Sequence, residues 1–142
     1  MNYEKSLNHT MWDCKYHMVW IPKYRKKLIY GDLRRYLGEV IRELAARKEC
    51  KVHEGHLMGD HIHMLISIPP KYAVSQIAGF IKGKSAIHIA RNYAGCKRNF
   101  TEQKFWARGY YVSTAGRDED VVRQYIQKQN EFDKRIDQLK LF

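Results

Sequence analysis

Two histidines separated by one apolar residue, His61-Ile62-His63, open a segment in which Ile62, Met64, Ile66 and Ile68 recur at every second position. In an extended strand successive side chains point to opposite faces, so the four apolar residues take the core side and both imidazoles share the other. Farther along, Tyr125 and Gln129 stand four apart in a helical pattern, which puts a phenol and an amide oxygen on one helix face. Two imidazole nitrogens and one amide oxygen leave coordination positions open on a divalent ion. Such a donor set suits Mg²⁺ or Mn²⁺ bound partly through a substrate phosphate. A phenol with an ordinary pKa of ~10 is a poor nucleophile at neutral pH unless a cation or base favours its ionisation. Together these residues are the parts of a metal-assisted phosphodiester-cleaving site.

Zinc is the rival ion. A closed structural zinc site wants four Cys or His ligands, and although Cys50, His53 and His56 are close in sequence, no second clean pair accompanies them. His17, His53, His56 and His88 are therefore read as structural or surface groups. Among ten tyrosines, Tyr110 and Tyr111 lie nearer Trp106 and suit base stacking, whereas Tyr125 has a glutamine one helical turn on.

These residues need elements to hold them. Residues 10 to 21 read as a first strand, closed by Pro22. Asp32 can cap a helix whose apolar residues Leu33, Tyr36, Leu37, Val40, Ile41 and Leu44 recur at helical spacing. Residues 50 to 57 and 61 to 68 form two strands around the turn Met58-Gly59-Asp60, a hairpin ended by Pro69 and Pro70. A second helix runs from about Ala73 to Asn92, with Val74, Ile77, Ile81 and Ile89 as apolar positions. A strand near 108 to 115 follows. Gly116 breaks it, Asp118 is a cap candidate, and Glu119 and Asp120 suit the positive end of a helix dipole. The last helix extends to about Leu139 with Val122, Ile126, Phe132 and Ile136 as its packing stripe. The order β-α-β-β-α-β-α is an α+β, ferredoxin-like split βαβ arrangement over residues 1–115, with a C-terminal helix in 116–142 that carries the tyrosine. That architecture hosts many functions, so chemistry must be argued from the site.

The chain has 142 residues, one domain by size, with 44% hydrophobic and 13% aromatic residues. Its net charge of +11 points to a polyanionic partner, with nucleic acid the leading candidate. No apolar run approaches the ~20 residues that span a bilayer, and the polar N-terminus carries no signal-peptide pattern. Cys14, Cys50 and Cys96 are odd in number, widely spaced and without a Cys-x-x-Cys pair, which suits free thiols in a reducing cytoplasm.

Basic residues cluster at Lys23, Arg25, Lys26 and Lys27, and again from Arg91 to Lys97 and Arg98, interleaved with Tyr24, Tyr93 and Phe100. Cations that neutralise phosphates beside rings that stack bases are the combination expected for single strands and hairpin ends. Lys82, Lys84 and Arg91 are candidate contacts to the DNA backbone. The segment from Gly79 to Ser85 ends like a phosphate-binding loop but has three residues between its glycines instead of four and sits inside a helical pattern, so no nucleotide is expected.

The His61-Ile62-His63 motif, the runs His17 to Arg25 and Gly59 to His63, and the stretch from Phe105 through Gly116-Arg117 to Tyr125 and Gln129 resemble the HUH nucleases. Within them the chain resembles the small single-tyrosine transposases of bacterial and archaeal insertion sequences. The resemblance implies His61, His63 and Gln129 as metal ligands and Tyr125 as the nucleophile that forms a 5′-phosphotyrosine. It implies cutting and rejoining of single-stranded DNA at element ends marked by hairpins. It further implies a homodimer in which the tyrosine helix of one subunit completes the histidine site of the other, with Gly116 as the hinge. A domesticated relative acting on chromosomal repeat hairpins is the alternative within this chemistry. A non-catalytic nucleic-acid-binding module of the same fold is the alternative outside it.

Overall fold

Alternation of apolar and polar residues dictates the central strand pair. In a computed structural model, which describes residues 6–7, 10–23, 29, 31–92, 105–114 and 119–140, the first strands are the short ladder β1 (Ser6–Leu7) and β2 (Thr10–Met11). The strand expected over 10 to 21 is this second arm plus a separate β3 (Lys15–Trp20). Then come α1 (Gly31–Arg47), β4 (Lys51–Met58), β5 (His61–Ser67), α2 (Val74–Asn92), β6 (Tyr111–Ser113) and α3 (Glu119–Lys140). The main sheet is antiparallel throughout, in the order β4-β5-β3-β6. This is the ferredoxin-like order expected from the sequence, with α3 added at its end.

One face of the sheet is dry. Ile62, Met64 and Ile66 of β5 and Met18 and Trp20 of β3 are at most 1% exposed and pack against Leu33, Leu37, Val40, Ile41 and Leu44 of α1 and Ile77, Ile81 and Ile89 of α2. These are the helix positions that the 3.6-residue period selects. Gly38 brings α1 close to β4: a Cβ there would stand 3.3 Å from Leu57 Cδ1. Asp32 lies in the first turn of α1, which begins at Gly31, so its charge faces the helix's positive end from inside the helix and not from the capping position. At the other end Glu49 takes a left-handed φ of 58°, and the amide of Cys50 donates to Ala45 O at 2.9 Å to close the helix.

β6 is shorter than expected, three residues within the stretch 108 to 115. The preceding segment is pinned differently. Pro22 bridges to Trp106, Lys23 N donates to Phe105 O at 2.9 Å, and Ala107 N donates to Ile21 O at 2.8 Å. In the packing stripe expected for α3, Ile126 is buried but Phe132 is 41% exposed. Phe132 thus belongs to neither core cluster formed by the described residues. The side chains of Val122 and Ile136, together with Gly116 and Asp118, lie outside the described residues. No helix among those described is long and apolar enough to cross a membrane.

Candidate active site

The opposite face of the sheet carries the chemistry. On β5, His61 and His63 alternate with buried Ile62 and so lie on the face away from α1 and α2. Register then sets their neighbours. His63 is opposite Val19 of β3 on one side and His56 of β4 on the other, and Val19 is in turn opposite Tyr111 of β6. Residues directly opposite one another in an antiparallel pair share a face. His56, His63, Val19 and Tyr111 therefore make one row across the sheet.

His17, two residues before Val19, brings its ring centroid to 5.6 Å from that of His63, and His56 stands at 6.3 Å. His17 Nδ1 is buried and has no hydrogen-bond partner among the described residues. Two histidines read as structural or surface groups thus flank the motif, though His56 is indeed exposed. Cross-strand register is the signal that finds them, and it requires the bulge between Val52 and Glu54. The extra residue there, His53, hydrogen-bonds Ser67 Oγ through Nε2. His61 Nδ1 lies 2.9 Å from Asp60 Oδ1, a partner that motif reading did not single out.

α3 brings the phenol and the amide to this same face. Ile126 is buried with Val19, Ile21 and Ala107, and Tyr125 and Tyr111 pack against that cluster with ring centroids 6.2 Å apart. Tyr125 therefore packs on the cluster that holds Val19, the cross-strand neighbour of His63. Gln129, one turn on, lies beside Gly109: a Cβ at Gly109 would stand 3.9 Å from Gln129 Oε1. Gly109 has φ +80°, a conformation that L side chains rarely adopt.

α2 holds this seat from the other side. Trp106 Nε1 donates to Ser85 Oγ at 3.0 Å, and Lys82 Nζ donates to Ala107 O at 2.9 Å and to Gly109 O. Lys82, expected on a phosphate, has its ammonium on two backbone carbonyls. Its lysine stem is half-buried while Lys84 and Arg91 are exposed. The loop-like Gly79 to Ser85 segment is interior to α2, where Ser85 serves Trp106. Lys23 is half-buried; Arg25, Lys26 and Lys27 and the run from Tyr93 to Phe100 lie outside the described residues.

The donor set can be tested against the ion. Among the described residues no group of three or more His, Cys, Asp or Glu side chains could hold a metal. The closed zinc arrangement is thus not assembled there, and the buried Cys50 thiol donates to Lys48 O at 3.5 Å. Gln129 Nε2 is buried with no hydrogen-bond partner among the described residues. That nitrogen is a hydrogen-bond donor and cannot ligate a cation; the ligating atom the amide offers is Oε1. This oxygen is a hard donor, and with the imidazoles of His61 and His63 it fits a divalent ion of the Mg²⁺ or Mn²⁺ kind.

Comparison with known proteins identifies the family. Residues 10–129 match the family described as transposase, IS200 like. The chain is 43% identical over 141 residues to the transposase for insertion sequence element IS200 of Salmonella typhimurium, covering 99% of this chain and 93% of that protein. It is 26% identical over 122 residues to the ISDra2 transposase TnpA of Deinococcus radiodurans, covering 85% and 87%. In fold it is similar to a crystal structure of a candidate transposase from Deinococcus radiodurans R1, with a TM-score of 0.79 at 22% identity, over 88% of this chain and 97% of that one. It is also similar to a REP-associated tyrosine transposase solved bound to a REP hairpin, with a TM-score of 0.53 at 11% identity over 85% and 67%. With a match across most of its length and a relative of this identity covering nearly all of it, the chain belongs to the IS200-like transposase family.

Proposed function

We propose that this transposase cuts and rejoins single-stranded DNA at hairpin-bearing ends of its element, with Tyr125 as nucleophile and His61, His63 and Gln129 as ligands for Mg²⁺ or Mn²⁺. The observation that carries the reading is the convergence of two distant segments. Tyr125 of α3 packs against the cluster that contains Val19, the cross-strand neighbour of His63, and Gln129 lies one turn on along the same helix face.

In this mechanism the phenol oxygen of Tyr125 attacks a backbone phosphorus as the bond to the 3′-oxygen breaks. The phenol proton passes to solvent, and the departing 3′-oxygen takes up a proton to become a hydroxyl. The DNA remains joined through a 5′-phosphotyrosine. Because that linkage preserves a phosphodiester, a later 3′-hydroxyl can displace Tyr125 without a nucleotide cofactor. A bound divalent ion would neutralise charge developing on a non-bridging phosphate oxygen. The half-buried setting of Tyr125 among Val19, Ile126 and Tyr111 restricts the phenol's approach, which favours one attack geometry.

The net charge of +11, with Lys84 and Arg91 exposed along α2, supports a polyanionic substrate. A hairpin-bound neighbour of the same fold supports hairpin DNA as that substrate. Homodimerisation with exchange of α3 between subunits is part of the proposal. In the single chain α3 rests on its own sheet through the cluster around Ile126, and the same helix face can dock on the equivalent surface of a second copy.

The test is cleavage of single-stranded DNA carrying the element's flanking hairpins. Tyr125→Phe should abolish the covalent protein–DNA adduct and retain hairpin binding, since only the attacking oxygen is lost. Persistence of an adduct would move the nucleophile to Tyr110 or Tyr111. Full cleavage after exhaustive chelation would overturn the metal-assisted mechanism. Hairpin binding that survives with no cleavage by the unaltered protein in Mg²⁺ or Mn²⁺ would leave a binding module.

A further inference from the structure

We infer that Asp60 is a positioning residue that fixes the tautomer and ring orientation of His61, so that His61 offers Nε2 to the metal. The inference rests on the metal-site reading above. Asp60 Oδ1 lies 2.9 Å from His61 Nδ1, and both side chains are only 20% exposed. An ionised carboxylate accepts hydrogen bonds and donates none, so the hydrogen of this contact must sit on Nδ1. A neutral imidazole has one N–H, and with that on Nδ1 the free lone pair is on Nε2. A carboxylate behind a ligating imidazole both orients the ring and raises its basicity as a ligand.

The carboxylate is itself held in place. Asp60 occupies the two-residue turn of the β4–β5 hairpin, with Met58 opposite His61 directly beyond it. The turn is tied from outside by Ile29, whose amide donates to Gly59 O at 3.2 Å and whose side chain is fully buried. The neighbouring backbone is thus anchored to the core. Adjacent residues i and i+1 in a regular strand point to opposite faces, so contact between Asp60 and His61 side chains requires the turn conformation at Asp60.

The inference is tested on metal-free protein by ¹⁵N-detected NMR of the histidine rings, and by calorimetric titration with Mn²⁺. Unaltered protein should show His61 as the Nδ1–H tautomer. Asp60→Ala should lose that preference and bind Mn²⁺ about 10- to 100-fold more weakly, the range expected for loss of a partner behind a ligand. Asp60→Asn keeps an acceptor oxygen and a residue suited to the turn and should restore part of both, while the His61 tautomer is the readout that a purely structural role for the turn would not set. The same variant also serves where Asp60→Ala fails to fold.

An Nε2–H tautomer in the unaltered protein overturns the inference. So does wild-type Mn²⁺ affinity in Asp60→Ala when His61→Ala has lost it. Wild-type affinity in His61→Ala itself overturns the metal-site reading and the affinity claim with it, leaving the NMR result to decide the hydrogen bond alone.

Discussion

Lys82 and Lys84 stand two residues apart on α2, carry the same charge and should behave oppositely when replaced by methionine. The Lys82 ammonium donates to Ala107 O and Gly109 O, on the segment that seats Gln129, while Lys84 is exposed. Hydrogen bonds with a charged partner contribute ~1.5–3 kcal/mol each when sheltered, and less where solvent competes. One of these is half-buried and the other exposed, so Lys82→Met should cost about 2 kcal/mol in total. With an unfolding entropy of about 2.1 cal/mol/K per residue, that loss lowers Tm by about 7 °C for a chain of this length. Methionine retains the stem's apolar contacts, so the loss reports the ammonium. Lys84→Met should leave Tm within about 2 °C, because surface changes of this kind stay within ~0.5 kcal/mol. Thermal melts by circular dichroism supply one axis and fluorescence anisotropy of hairpin DNA across a salt series the other. If Lys84 meets a phosphate, its loss reduces the slope of log K against log salt by about 0.7, the single-strand value for one contact. Lys82→Met should leave that slope unchanged. A Lys82→Met protein that melts like the parent yet shows the reduced slope would refute the strap and return Lys82 to the DNA.

Shared active sites make a separate prediction. Inactive His61→Ala and Tyr125→Phe proteins, mixed under conditions of demonstrated subunit exchange, should recover cleavage, because one site of the heterodimer collects both lesions and the other none. A confirmed dimer whose mixtures stay inactive would place each site within one chain, as α3 lies in the single chain. Glu49→Gly should raise Tm by about 2–3 °C, since glycine at a left-handed position relieves ~0.5–1 kcal/mol of backbone strain and the exposed Lys71–Glu49 ion pair it removes contributes little. An unchanged or lowered Tm would show that the ion pair matters more than the backbone.

The two periodicities were legible because each is a local consequence of backbone geometry. A repeat of two put Ile62, Met64 and Ile66 in the core, and a repeat of 3.6 did the same for Leu33, Leu37 and Ile41. Composition and the histidine motif pointed to a metal-assisted site on a basic chain. The element order followed from these repeats and the turn residues between them, and family resemblance supplied the roles of Tyr125 and Gln129. The sequence was a poorer guide to lysines, because a basic side chain reads alike whether it meets a phosphate or, like Lys82, two backbone carbonyls. It placed the end of α3 well but not its packing: Phe132 has the right spacing and is exposed among the described residues, since periodicity reports a face and not what covers it. Only the tertiary structure decided which residues surround the histidines. Strand register set His56 and Val19 beside His63, a bulge carried His53 to Ser67, and the packing of Ile126 laid Tyr125 over the row. These are contacts between residues far apart in the chain, fixed by hydrogen-bonded pairing and burial across the whole sheet, and no window of sequence contains them.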